Sequence, residues 1–286
     1  EYLTGTLFTL PFIGEFRLSN TIVALLIADA ILIGMAILVG RAVRKGELTF
    51  KGVTAAVEAI VEALYNLTES TAGKWAKTIF PWMATIVLLV LVVNWTEMIP
   101  GVDSIGLLDK QHIENPEACT FDTLARLGST EVVAVGGESE CARGVVPFVR
   151  VASTDLNFTI GLAIVSVVGT QFVGVRALGP SYLTKFFNTR TLFKKPMFGA
   201  IDFLVGILEA ILEAVKVLSF SFRLFGNIFA GSILLFVVGS LVPVFAQSAV
   251  LLLEFFVGII QAIVFGMLTL IFMSLATIGH GEAEAH

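Results

Sequence analysis

Two rows of ionisable and amide side chains run through segments that otherwise read as membrane-embedded. In the first, Glu209, Glu213, Lys216, Arg223 and Asn227 fall within about 40° of one line when each residue is turned ~100° about a helix axis. In the second, Gln247, Glu254 and Gln261 recur at heptad spacing and drift only ~20° per step. Charged and amide groups inside an apolar helix face protein or water rather than lipid, and there they mark paths for ions and protons. Arg223 is the sharpest case, because a guanidinium cannot shed its proton to escape the cost of burial. The nearest carboxylate on its own helix is Glu213, so its counter-charge must come from Glu254 or from another chain. The chemistry offered is charge transfer through a low-dielectric barrier: carboxylates that take up and release a proton, beside one fixed cation. Glu209, Glu213 and Lys216 also admit a plainer reading, as helix pairs or snorkelling ends. No metal-ligand spacing, nucleophile elbow or phosphate loop occurs, so no metal and no cofactor is expected. His112, His280 and His286 all lie outside the apolar segments, which excludes an intramembrane histidine relay.

The elements that must hold these rows are read from composition and period. The chain has 286 residues, is 56% hydrophobic and 14% charged, and has a mean hydropathy of +0.92. Soluble domains carry about 25% charged residues, so this is an all-α integral membrane protein, built as a single membrane domain. It opens on Glu1 rather than Met, so a segment upstream is expected to have been removed or left out. Residues 20–40, 79–99 and 155–178 each suffice to cross a ~30 Å hydrocarbon core. Over 49–72, Val53, Val57, Ile60, Val61, Leu64 and Leu67 recur at helical spacing opposite Lys51, Glu58, Glu62 and Glu69, the pattern of an amphipathic surface helix. Residues 100–154 form a polar insert with eight acidic residues, whose pattern assigns no elements. After a basic loop closed by Pro196, residues 197–241 and 244–279 predict two helices too long to stand upright, tilted and paired as a hairpin. Asp29, in the first span, reads as a helix pair or an interfacial position.

Lysine and arginine placement sets the orientation. Segments 41–78 and 176–196 hold eleven basic residues, against five in segments 1–20 and 100–154. The positive-inside rule then puts the N-terminus and the insert outside and the C-terminus in the cytoplasm. A competing class, an autonomous ion channel or secondary transporter, would show internal and often inverted repeats. None is evident in the chain.

The run LSFSFRLFGNIFAG at 218–231, with QAIVFGMLTLIFMSLA at 261–276, resembles subunit a of the rotary F-type ATP synthases. NWTEMIPG at 94–101 and TDLNFT at 154–159 are similar to further motifs of that family, and the likeness covers most of the chain apart from the insert. The resemblance implies a non-catalytic stator in an energy-transducing inner membrane, bacterial or other. Its partners would be a ring of c subunits, peripheral-stalk b subunits and lipid, with no nucleic acid. The ion would be H⁺, or Na⁺ in the alternative. Arg223 would face the ring carboxylates. Asn227, Gln261 and Glu254 would line an outer half-channel with Glu97, Asp155 and Asn157 at its mouth, while Ser219, Glu209 and Glu213 would lie toward the inner exit. The chain departs from the family at Ser232, nine residues after the arginine, where a carboxylate or histidine is frequent. Glu254, seven residues before Gln261, stands where some relatives place a histidine or other partner for that group, so the resemblance implies that the titratable group has changed helices.

Cys119 and Cys141 lie in the insert, which the charge distribution places in a disulfide-permissive compartment. Either they are bridged or they are two free thiols. A bridge would constrain the loop by roughly 3 kcal/mol on the loop-entropy account. Alkylation followed by intact-mass measurement is expected to find no modified thiol before reduction and two after it.

Overall fold

The computed structural model describes residues 8–10, 14–16, 19–44, 52–99, 105–108, 121–127, 130–135, 145–147, 150–179, 182, 196–241 and 245–278. Cys119, Cys141, the three histidines and the turn expected at Pro243 lie outside the described residues. Six α-helices occur among these residues: α1 Asn20–Arg44, α2 Val53–Ala72, α3 Ala76–Trp95, α4 Leu156–Leu178, α5 Pro196–Leu241 and α6 Phe245–Ala276. Five helical stretches are long and apolar enough to cross a membrane, α2 and α3 counting as one across the 3₁₀ turn Gly73–Trp75. The membrane part is therefore all-α, as composition and period require.

α5 and α6 form an antiparallel pair. Gly239 lies beside Gln247, Gly231 beside Glu254, Phe220 beside Phe265 and Lys216 beside Phe272, so numbers fall on one helix as they rise on the other. With 46 and 32 residues they run to about 69 and 48 Å, well past a ~30 Å hydrocarbon core, and neither stands upright in one. α2 also runs antiparallel to its neighbour. Thr68 meets the Met83 sulfur at 3.9 Å, Tyr65 packs edge-on to Phe80, and Ala56, Val57 and Ile60 line an apolar groove with Leu91 and Trp95 of α3. Gly73, at φ +50°, supplies the left-handed turn between the two helices that a side chain would strain. Leu64 and Thr68 turn inward, whereas Glu58, Glu62 and Glu69 are exposed, as the amphipathic pattern requires.

The core is made by α3, α4 and α6, with Ile79, Met83, Val90, Val173, Phe265, Leu270 and Met273 almost wholly buried. Small residues let these helices approach closely, the usual device where lipid gives no hydrophobic drive to association. Ser166 and Thr269 join α4 to α6 by a buried hydroxyl pair at 2.7 Å. α5 differs, burying only 11% of its most apolar stretch against 44% for α4, with Leu204, Leu208, Leu212, Phe222 and Phe236 outward.

The polar segments contain strands where the sequence pattern gave no elements. β1 Phe8–Leu10 pairs antiparallel with β2 Gly14–Phe16 ahead of α1. Within the insert, β3 Ile105–Leu108, β4 Phe121–Leu127, β5 Thr130–Val135 and β6 Val145–Pro147 form an antiparallel sheet in the order β4-β5-β3-β6. A bulge in β4 between Thr123 and Ala125 interrupts the alternation. These runs are short, and an irregular period of that kind hides a strand from pattern reading.

The tightest seat in the core is Gly266, where an added Cβ would run into Cγ2 of Val87. Gly266→Ala is expected to lower stability by about 1–3 kcal/mol through overpacking. Val87→Ala in the same chain should recover part of that loss, as thermal unfolding in detergent would show.

Candidate functional site

Both polar rows meet in the α5–α6 seam. Asn227 Nδ2 donates to Gln261 Oε1 at 2.7 Å, joining the row on α5 to the row on α6. Gln261 is only 3% exposed, and its Nε2 finds no acceptor among the described residues. One turn along, the Glu254 carboxylate lies directly over Gly231, so close that an added Cβ would overlap Oε1 and stand 2.6 Å from Cδ. Ser232, the next residue, donates its hydroxyl to the carbonyl of Ile228 at 2.9 Å. The carboxylate on α6 therefore occupies the level of Gly231 and Ser232 on α5. Arg223 stands eight residues before Gly231, about 12 Å along the helix axis. It is partly exposed and forms no ion pair among the described residues. Of the two sources open for its counter-charge, Glu254 lies at the level of Gly231, eight residues further along α5.

Toward the start of α5 the row turns acidic. Glu213 is 9% exposed and pairs with Lys216 one turn on at 2.8 Å, while the ammonium sits 4.6 Å from the Phe272 ring centroid of α6. This is the ordinary helix pair that spacing allowed, made unusual by its burial. Glu209, one turn earlier, is partly exposed, and Ser219 is exposed on the same helix. Tyr182, in the α4–α5 connection, joins this group. Its Oη donates to Gln171 Oε1 at 2.8 Å. Burial, with the Glu213 and Glu209 charges second and third, pushes its hydroxyl up to about 12.

A third group lies where α1 and α4 begin. Asp155 caps α4 by accepting from the Asn157 backbone N–H at 2.9 Å and accepts from the Thr21 hydroxyl at 3.1 Å. With Asn157, Asn20 and Arg150 it lines an open polar cavity of about 520 Å³ that also reaches Phe225, two residues past Arg223 on α5. Nearby, Ser153 donates to Asn94 Oδ1 at 2.8 Å. Buried amide nitrogens of Asn20 and Asn94 and the Trp95 indole nitrogen lack partners among the described residues, so three donors stand ready for water. Glu97 lies in the 3₁₀ turn Thr96–Met98 that ends α3. Asp29 of α1 is partly buried and has no ion pair among the described residues.

The fold thus joins Asn227 to Gln261, Glu254 to the Ser232 level, Glu213 to Lys216 and Asp155 to Asn157. Asn20, Thr21, Asn94, Ser153, Gln171 and Tyr182 belong to the same polar groups and escaped sequence reading. Asn94 alone carried a signal, as the first residue of NWTEMIPG.

The comparisons agree with this geometry. Residues 22–274 match the profile of the family described as ATP synthase A chain. ATP synthase subunit a of Campylobacter jejuni subsp. jejuni serotype O:6 is 33% identical over 136 residues, covering 47% of this chain and 57% of that protein. The subunit a of Psychromonas ingrahamii is 29% identical over 232 residues, or 79% of this chain and 72% of that one. For Moorella thermoacetica the figures are 23% over 231 residues, 80% and 79%. The chain therefore spans a little over half the length of the Campylobacter relative and about three quarters of the other two. With the family profile covering residues 22–274, most of the chain, the chain belongs to the ATP synthase A chain family.

Proposed function

We propose that this chain is the membrane stator of a rotary ATP synthase, with two offset proton half-channels and Arg223 facing the carboxylates of a ring of c subunits. The observation that carries the reading is the state of Arg223: a guanidinium on a largely uncovered helix, with no ion pair among the described residues. In a bilayer such a group is stable only beside water or an opposite charge. A passing ring carboxylate supplies that charge. Each carboxylate must be neutral to turn through lipid and ionised to meet Arg223, so a proton loads on one side of the arginine and leaves on the other. The fixed cation also repels protons between the two paths and prevents a short circuit.

The outer half-channel runs from the cavity at Asp155, Asn157 and Asn20, with Glu97 at the mouth, to Glu254, Asn227 and Gln261. The inner one passes Ser219, Glu213 and Glu209. Eleven basic residues in the segments assigned to the cytoplasm support that sidedness, with the insert outside. Each charge crossing 100 mV releases ~2.3 kcal/mol, which rotation hands to catalytic subunits elsewhere in the complex. The uncovered flanks of α1 and α5 are left for lipid, the ring and peripheral-stalk b subunits.

Two measurements on the reconstituted complex test this. Arg223→Ala is expected to abolish ATP-driven proton pumping while passive leak persists, and pumping at the parental rate would refute the stator reading. Glu254→Gln is expected to slow passive proton flow by about 10²-fold, the low end of what a positioned acid–base group contributes. The complex should remain assembled. Adding Ser232→Glu should return part of the flow, since both carboxylates would occupy the same level of the seam. A double variant that conducts no better than the single would refute the relay.

A further inference from the structure

Glu254, Gly258 and Gln261 of α6 fall within about 60° of one another when each residue is turned ~100° about the helix axis. The middle one is covered by α3. A Cβ added at Gly258 would stand 3.4 Å from Asn94 Cβ, 3.5 Å from Trp95 Cδ1 and 3.7 Å from Trp95 Nε1. The end of α3 is thus laid on α6 between the levels of Glu254 and Gln261. Stacking on Phe255, with ring centroids 5.1 Å apart and planes 14° from parallel, fixes the plane of the indole. Its buried nitrogen finds no acceptor among the described residues, and neither does the buried amide nitrogen of Asn94. The oxygen of that amide accepts from Ser153 at 2.8 Å, two residues before Asp155 and the cavity it lines.

Packing alone does not demand a glycine at 258. Where a Cβ at Gly266 would run into Val87, one at Gly258 would meet only ordinary van der Waals contacts, and alanine is the better helix former. What the missing methyl leaves uncovered is the edge of the indole that carries the N–H. Indole nitrogens and amide NH₂ groups are donors only, so what they can hold between them is an acceptor as small as water. A water that accepts from Trp95 and Asn94 has both lone pairs engaged. Its two protons then point away from α3, and the carboxylate one turn earlier on the same face of α6 is Glu254. Two donors on one side thus turn the water into a proton donor on the other.

We propose that Trp95, together with Asn94, holds a water over Gly258 and is a positioning residue of the outer half-channel, aiming that water's protons at Glu254. The inference rests on the relay role of Glu254, and it joins the cavity at Asp155 to the seam through the end of α3.

Passive proton conductance through the assembled membrane sector in vesicles, with the catalytic sector stripped, tests it. Gly258→Ala puts a methyl in ordinary contact with both side chains and covers the indole nitrogen. It is expected to lower conductance about fivefold, the factor that one net hydrogen bond of ordinary strength gives. Thermal stability should be unchanged or higher, and the ring should still co-purify. Trp95→Phe keeps an aromatic ring beside Phe255, removes the N–H, and should show a similar loss. In a Glu254→Gln background neither change should lower conductance further, because both act through that carboxylate. A merely structural contact would carry its loss into that background undiminished. Parental conductance in either variant, failure of Gly258→Ala to assemble, or an undiminished loss beside Glu254→Gln would each overturn the proposal. If Trp95→Phe does not assemble, Gly258→Ala decides alone. Glu254→Gln by itself separates the two levels. If it conducts normally, the relay reading falls and takes this inference with it. If it is slow while Gly258→Ala conducts normally, only the water site at Trp95 falls.

Discussion

A guanidinium on an apolar helix long enough to cross a membrane constrains the rest of this chain. It is a permanent cation, so the surroundings of Arg223 must adapt to it. A carboxylate of the same chain in direct contact would satisfy the charge and lock it. The fold instead leaves Arg223 partly exposed on α5 and keeps Glu254 at the level of Gly231, two turns away. Amides do the work nearer to the arginine. Asn227 and Gln261 are polar enough to hold water and carry no charge that could compete for the cation.

Holding such a seam requires rigid support with no polar groups of its own to spare. α6 supplies it, with one flank in the seam and the other in the apolar core. Gln261 faces Asn227, whereas Phe265, Leu270 and Met273 of the same helix pack with α3 and α4. Gly266 against Val87 lets the helices approach closely, and the Ser166–Thr269 pair ties α4 to α6 at similar depth. α5 packs on both α4 and α6, with Phe220, Leu224 and Ile228 in the core, yet only 11% of its most apolar stretch is buried, so much of its outer flank stays uncovered.

Much of this was legible in the sequence because helices write their faces into periodicity. The two polar rows, the long helix pair and the amphipathic character of α2 follow from spacing, and the Asn227–Gln261 contact follows once the rows are placed face to face. What spacing could not supply were contacts between residues far apart in the chain. Tyr182 sits in a connection without period, and only the fold shows that Gly174 is hollowed for its ring. Asn20 and Thr21 read as the polar start of a span, yet Thr21 meets Asp155 across 134 residues. The insert hid its strands for a different reason: they are short, and one is bulged.

Ser232 is best understood through its neighbour. Gly231 has no Cβ, and the carboxylate of Glu254 fills the space a Cβ would take. A carboxylate carried by α5 at position 232 would stand at the same level of the seam as the one carried by α6 at position 254. Two ionised carboxylates there would repel each other in a medium of low dielectric, where like charges at short range push one another toward neutrality. Ser232 adds no second charge there, and its hydroxyl donates to the Ile228 carbonyl at 2.9 Å. Serine at 232, glycine at 231 and glutamate at 254 are thus one physical choice rather than three, and a change at any of them alters what the other two can do.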